Sequence, residues 1–185
     1  MSDEIVITCI KALEACKIPY MVVGSVSTNL YAAPRSTQDA DIVVELRPDS
    51  LSQLMKQLGP SFRLDPQSRF ETFTATTRHV IDTEDAFFHV ELFQLSDDPF
   101  DKERFARRRS VNVLGHQAYA ATAEDVVVMK LRWSGQGRRA KDLDDARNVI
   151  AAQADSLDWD YIHRWCDQHG TRQLLDEIRR SIPKI

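Results

Sequence analysis

Two aspartates spaced two residues apart, Asp39 and Asp41, open a segment that turns β-branched and apolar at once: Asp39-Ala40-Asp41-Ile42-Val43-Val44. Side chains along a strand alternate between its faces, so both carboxylates share one face. Like charges side by side repel, and a cation between them offsets that cost. Mg²⁺ takes hard oxygen ligands and is held by one or two carboxylates together with substrate phosphates. Upstream, Val22-Val23-Gly24-Ser25 is an apolar run that breaks into a turn, where backbone N–H groups can meet an anion. Carboxylates for a metal and a turn for a phosphate, within about twenty residues, read as a nucleotide site.

A third acid follows in Phe87-Phe88-His89-Val90-Glu91-Leu92-Phe93, where alternation puts His89, Glu91 and Phe93 on one face. A mid-strand carboxylate is costly without a partner. On a neighbouring strand it allows a second ion, as in two-metal phosphoryl chemistry. Each feature alone has a plainer reading. Asp-x-Asp suits a solvated strand edge, Gly-Ser a simple turn, and Glu91 a cross-strand ion pair with a nearby arginine. Order and spacing favour reading them jointly.

These residues need elements to position them. Ile5, Cys9, Ala12, Leu13 and Cys16 recur at helical spacing, so the chain starts with an amphipathic helix, which Pro19 ends. Tyr20 to Val23 reads as a short buried strand, and Gly24-Ser25 leads into a helix through Ala33. Gln38 to Leu46 forms the acidic strand. Asp49 caps a helix that stops at Gly59-Pro60. Residues 62–80 are rich in Thr and Phe, and Glu71-Thr72-Phe73-Thr74-Ala75-Thr76 alternates as a strand. A hairpin follows over residues 111–119. Thr122-Ala123-Glu124-Asp125 resembles a capping box ahead of an apolar run, and three more helices cover residues 138–152, 158–168 and 171–181. The fold class is α/β (α+β), a small mixed sheet flanked by helices over residues 1–120 with a C-terminal helical lobe over residues 121–185.

Composition narrows the function classes. With 43% hydrophobic and 28% charged residues, the 185-residue chain has the make-up of a globular protein able to bury a core. Twenty-eight acids against 24 basic residues give a net charge of −4, which argues against a nucleic-acid coat protein but not against a local basic site. Lys102, Arg104, Arg107, Arg108 and Arg109 are the dense basic cluster, read either as solvated charge or as a phosphate-contacting patch without aromatic interleaving. Three cysteines and five histidines lack metal-type spacing, and Cys9 and Cys16 read as buried thiols on one helix face. No apolar run approaches the roughly 18 to 20 residues of a membrane span, and the first residues lack a basic signal-peptide start. The expectation is a cytoplasmic protein with no membrane partner.

The ordered set Val23-Gly24-Ser25, Asp39-Ala40-Asp41 and Val90-Glu91-Leu92 resembles the signature of the nucleotidyltransferase superfamily that includes the DNA polymerase β-like enzymes. Arg35-Ser36-Thr37 is similar to the Arg-x-Thr of its minimal bacterial, toxin-like AbiEii branch. So is Glu124-Asp125…Lys130-Leu131…Arg138…Lys141-Asp142…Asp145. One departure is Glu91, where many members carry Asp. The resemblance implies an enzyme that moves a nucleoside monophosphate from an NTP to a hydroxyl acceptor (tRNA, protein or small molecule). It implies that Gly24 and Ser25 cradle phosphates, and that Asp39 and Asp41 hold Mg²⁺. Glu91 would complete a second metal site and take the acceptor's proton. Arg35, Thr37, Lys130 and Lys141 would serve the nucleotide. A cognate antitoxin or a second copy of the chain is the implied protein partner. The alternative is a non-catalytic nucleotide- or partner-binding module of the same fold.

Helical spacing places Arg138, Lys141, Asp142 and Asp145 on one helix face and Leu143, Ala146, Val149 and Ile150 on the opposite, buried one. Lys130 interrupts the apolar run from Val126 to Leu131; it either snorkels to solvent or reaches a triphosphate.

Overall fold

The computed structural model describes residues 2–71, 75–83, 87–137 and 140–183. They divide into two compact units, Met1–Val26 with Ser36–Ala121, and Ser27–Arg35 with Thr122–Ile185. Residues 27–35 thus belong with the C-terminal helices rather than with the residues around them in sequence.

The first unit is built on one sheet. Its strands are β1 (Tyr20–Val22), β2 (Asp39–Val44), β3 (Phe62–Leu64), β4 (Arg69–Glu71), β5 (Thr76–Thr83), β6 (His89–Gln94), β7 (Arg109–Val113) and β8 (His116–Ala120). They lie in the order β3-β5-β6-β2-β1-β8-β7, with β4 paired to β5. β2 runs parallel to β6 and antiparallel to β1, so the sheet is mixed. Both halves of the acidic motif therefore sit mid-sheet. The apolar end of β2 is buried at Ile42, Val43 and Val44, while Asp39 and Asp41 are half-buried.

Three helices complete this unit: α1 (Ser2–Ala15), α3 (Ser50–Leu58) and α4 (Pro99–Arg107), with α2 (Gly24–Thr28) carrying the chain from the first unit into the second. On α1 the buried set is Val6, Cys9, Ile10, Ala12 and Leu13, with Ile5 and Cys16 only half-buried. Burial pushes the Cys9 thiol up to about 12, an inert apolar-like side chain. Lys17, not Pro19, closes α1. At φ 54° it lets the Lys17 N–H bond Glu14 O and the Ile18 N–H bond Leu13 O, the paired bonds of a Schellman stop. Asp49 precedes α3 but its side chain accepts no capping hydrogen bond, whereas Asp98 caps α4 by accepting from the Phe100 and Asp101 N–H groups.

Three other expectations need correction. α2 ends at Thr28 instead of continuing to Ala33. Residues 62–80 hold β3, β4 and the start of β5 rather than one strand: Glu71 ends β4, Ala75 has a φ of 49° and Thr76 opens β5. Thr72, Phe73 and Thr74 lie outside the described residues. The basic cluster is no open patch either. Arg104 is buried against Asp101 at 2.7 Å, Arg108 stacks on Phe105 and Tyr119, and Lys102 pairs with Asp97. Lys102 and Arg109 stay exposed, as the solvated-charge reading has them, while Arg104 and Arg108 are tied to their neighbours.

The second unit holds α5 (Ala123–Gly137), α6 (Ala140–Gln153), α7 (Trp159–Gln168) and α8 (Arg172–Ser181). Val127, Leu131, Ala146, Val149, Ile162 and Leu175 form its core. The α5 start behaves as a modified capping box: the Thr122 hydroxyl accepts from the Asp125 N–H and donates to the Asp125 carboxylate at 2.8 Å. Asp125 is fully buried, and the Tyr161 hydroxyl donates to its other oxygen at 2.5 Å. Removing one donor from a buried carboxylate costs about 1–3 kcal/mol. Tyr161→Phe is expected to lose that much in urea unfolding; a loss under about 0.5 kcal/mol, the range of ordinary surface changes, would contradict this account. No described helix is long and apolar enough to cross a membrane.

Candidate active site

The register of β2 against β6 sets the geometry. Asp39 lies opposite His89, and Asp41 lies opposite Glu91. Directly paired residues project to the same side of a sheet. All three acids therefore share one face, with Asp41 and Glu91 on neighbouring strands. Each is only half-buried, so the face is open to solvent ions.

Two neighbours hold the aspartates. The Thr37 hydroxyl donates to Asp39 Oδ1 at 2.6 Å. Gly24, with φ 61°, lies so close to Asp41 that an added Cβ would fall 1.9 Å from Asp41 Oδ2 and 2.9 Å from Asp41 Cβ. The turn is thus shaped around the carboxylate, and only glycine both adopts the left-handed backbone and leaves the room. Ser25 follows, buried. Hard oxygens at Asp39 and Asp41 beside this glycine cradle fit a divalent cation such as Mg²⁺.

Glu91 is different. Its Oε2 accepts from Arg78 Nη1 at 2.8 Å, with the two side chains about a fifth exposed (23% and 20%). Among the described residues no three or more His, Cys, Asp or Glu side chains gather into a metal-binding group. The strand register juxtaposes the three acids, yet the third turns to its arginine. The cross-strand alternative for Glu91 is the arrangement found, and Arg78 is the partner the motif pattern did not name.

No protein-family model and no curated protein matches the sequence. Solved structures do match. The antibiotic-resistance factor ANT(2'')-Ia superposes with a TM-score of 0.63 at 11% identity, covering 97% of this chain and 98% of that one. An antigenic nucleotidyltransferase-like protein from Paracoccidioides brasiliensis gives 0.56 at 16% identity, covering 97% and 93%. JHP933 from Helicobacter pylori gives 0.56 at 16% identity, covering 98% and 81%. This chain has the nucleotidyltransferase fold.

Within that nucleotidyltransferase fold, the cationic residues of the motif form a second constellation, in the helical unit. Arg35 donates through Nε and Nη2 to the two oxygens of Asp145, both at 2.8 Å. Lys130 Nζ lies 2.8 Å from Asp145 Oδ2 and 3.0 Å from Asp142 Oδ1. Asp145 and Lys130 are 4% and 12% exposed and Arg35 27%, so the carboxylate end of this network is buried and its guanidinium partly so. Asn29 braces it, bonding both the N–H and the carbonyl of Arg35. Lys130 thus neither snorkels nor stands bare, and Asp142 and Asp145 lie with Ala146 and Val149 among the buried residues of α6 instead of on a solvated face. Lys141 is exposed on α6, and Arg138 lies outside the described residues.

Proposed function

We propose that this chain transfers a nucleoside monophosphate from an NTP to a hydroxyl acceptor, with pyrophosphate as the leaving group. The observation that carries the reading is the β2–β6 register, which sets Asp39, Asp41 and Glu91 on one face beside the Gly24 turn. A bound Mg²⁺ would neutralise charge on the triphosphate and favour attack at its α-phosphorus. Asp39 and Asp41 would be its ligands. Thr37 fixes the Asp39 carboxylate by its hydrogen bond, and the Gly24-Ser25 backbone and the Ser25 hydroxyl meet the phosphates. Glu91 faces the acceptor and receives its proton.

Arg35 and Lys130 were the expected counter-charges for pyrophosphate. Within the four-residue network their two charges are matched by Asp142 and Asp145. Their task is therefore read as holding Asp145, and the nucleotide role passes to residues of the first unit. For the acceptor, ANT(2'')-Ia is informative: that protein has been solved in complex with adenylyl-2''-tobramycin, and matches 92% of this chain with a TM-score of 0.61. Supported by that likeness, a polyhydroxylated small molecule comes ahead of tRNA or protein.

The test uses α-labelled NTPs with Mg²⁺ and three acceptors: an aminoglycoside, bulk tRNA and a cell protein extract. Wild type should label one of them, and the Asp39→Ala/Asp41→Ala variant none. Equal labelling by both proteins would overturn the proposal. The Arg78–Glu91 pair favours one second reading, a nucleotide-binding module without transfer; there Mg²⁺ with ATP would raise the melting temperature and no acceptor would be labelled.

A further inference from the structure

Glu91 does not meet Asp41 as one anion meets another, because a guanidinium holds it from the far side. In the β5–β6 register Val80 lies opposite Glu91, with Arg78 opposite Phe93 and Asp82 opposite His89. These β5 residues share the face of the acids. Arg78 reaches diagonally to Glu91 at 2.8 Å, and its guanidinium carbon lies 6.0 Å from the centre of the Phe93 ring. The next carboxylate on that face, Asp82, is engaged elsewhere, by His89 at 3.2 Å and by Arg63 at 3.7 Å. The row across the sheet is therefore Asp41, Glu91, Arg78: a carboxylate on β2, a carboxylate on β6, and a fixed cation on β5.

We infer that Arg78 stands in for a second divalent cation: it neutralises Glu91, so that the site takes one ion, on Asp39 and Asp41, where two would need the third carboxylate free. This rests on the nucleotidyl-transfer reading. A second ion on Glu91 must displace the guanidinium or sit beside it, and both are opposed by like charge. Arginine suits the post because its charge is permanent and its planar fork keeps a set direction. Arg78 acts here as a positioning residue for Glu91.

The experiment is a Mn²⁺ titration of the whole chain with α,β-methylene-ATP present, with free Mn²⁺ read by electron paramagnetic resonance and the ion taken up by the nucleotide in a protein-free blank subtracted. Wild type is expected to bind one Mn²⁺ per chain, Asp39→Asn/Asp41→Asn none, and Arg78→Lys one. Arg78→Met, which removes the charge and keeps the bulk, is expected to bind a second Mn²⁺ at least about tenfold more tightly than wild type does. Thermal unfolding checks that each variant is folded, and Arg78→Gln gives the same readout should the methionine variant not fold. Two Mn²⁺ on wild type, with Arg78→Met and Arg78→Gln unchanged, overturns the role of Arg78 and leaves the transfer reading intact. No Mn²⁺ on wild type, or binding that survives loss of both aspartates, overturns the transfer reading and this inference with it.

Discussion

Replacing Gly24 with alanine is expected to lower the melting temperature by roughly 10 °C and to weaken divalent-ion binding in the molecules that stay folded. Two costs add. The backbone at φ 61° puts an L side chain in the left-handed region, worth about 1–2 kcal/mol. The new methyl also falls 1.9 Å from Asp41 Oδ2 and 2.9 Å from Asp41 Cβ. Rotating the carboxylate away does not clear the second contact, so β2 or the turn must move, adding about 1–3 kcal/mol of overpacking. At about 2–4 °C per kcal/mol for a chain of this size, the sum gives the stated shift. Gly170 is the control: its φ of 67° is close to that of Gly24, but an added Cβ there meets nothing within 4 Å. Gly170→Ala should show the backbone cost alone. Equal melting temperatures for the two variants would show that the close approach of Gly24 to Asp41 carries no weight.

The other large effect is in the helical unit. Lys130→Met is expected to cost about 3–5 kcal/mol in urea unfolding at neutral pH, because it leaves two buried carboxylates with one guanidinium. The same network predicts an acid limb. Burial alone would raise Asp145, but hydrogen bonds from Arg35 and Lys130, and their charges, outweigh it and hold the carboxyl below its usual value. A depressed folded value means the stabilisation is fully present above the unfolded carboxyl value of about 4 and is lost as pH falls through the folded value beneath it. Wild type should therefore lose stability steeply below about pH 4, and Asp145→Asn should lose less over that window. A Lys130→Met cost under about 1 kcal/mol would mean that the network behaves as an exposed one.

The elements that hold the acids were legible because their signals are local. Asp39-Ala40-Asp41 and His89-Val90-Glu91 declare their faces through a period of two, and β2 and β6 carry them as that period requires. Gly59 and Gly170 mark ends of helices where they stand. What stayed hidden depends on partners distant in sequence, or on backbone forms with no compositional flag. Lys17 is no glycine, yet its left-handed turn stops α1. The register that delivers Arg78 to Glu91 is set by β5 meeting β6, which nothing in Thr77-Arg78-His79 announces. Helical spacing put Lys141, Asp142 and Asp145 opposite the apolar face of α6, whereas Asp142 and Asp145 lie buried with Ala146 and Val149 and Lys141 alone of the three is exposed; spacing could not show that the acidic pair is buried. That took Arg35 and Lys130 arriving from other segments to neutralise it.

The membership of Ser27–Arg35 in the helical unit has a consequence for synthesis. Chains emerge from the ribosome amino end first, and domains fold as units as they become complete. The sheet unit has all its residues once Ala121 is made, whereas Arg35 is already out and Asp145 follows 110 residues later. For most of translation the early segment therefore waits without its counterpart, and the helical unit closes among the last events. A fragment that begins at Thr122 carries every C-terminal helix but lacks the guanidinium that grips Asp145, so cutting the chain there yields an incomplete body. The gene order interleaves two folding units, and only the whole chain finishes the second.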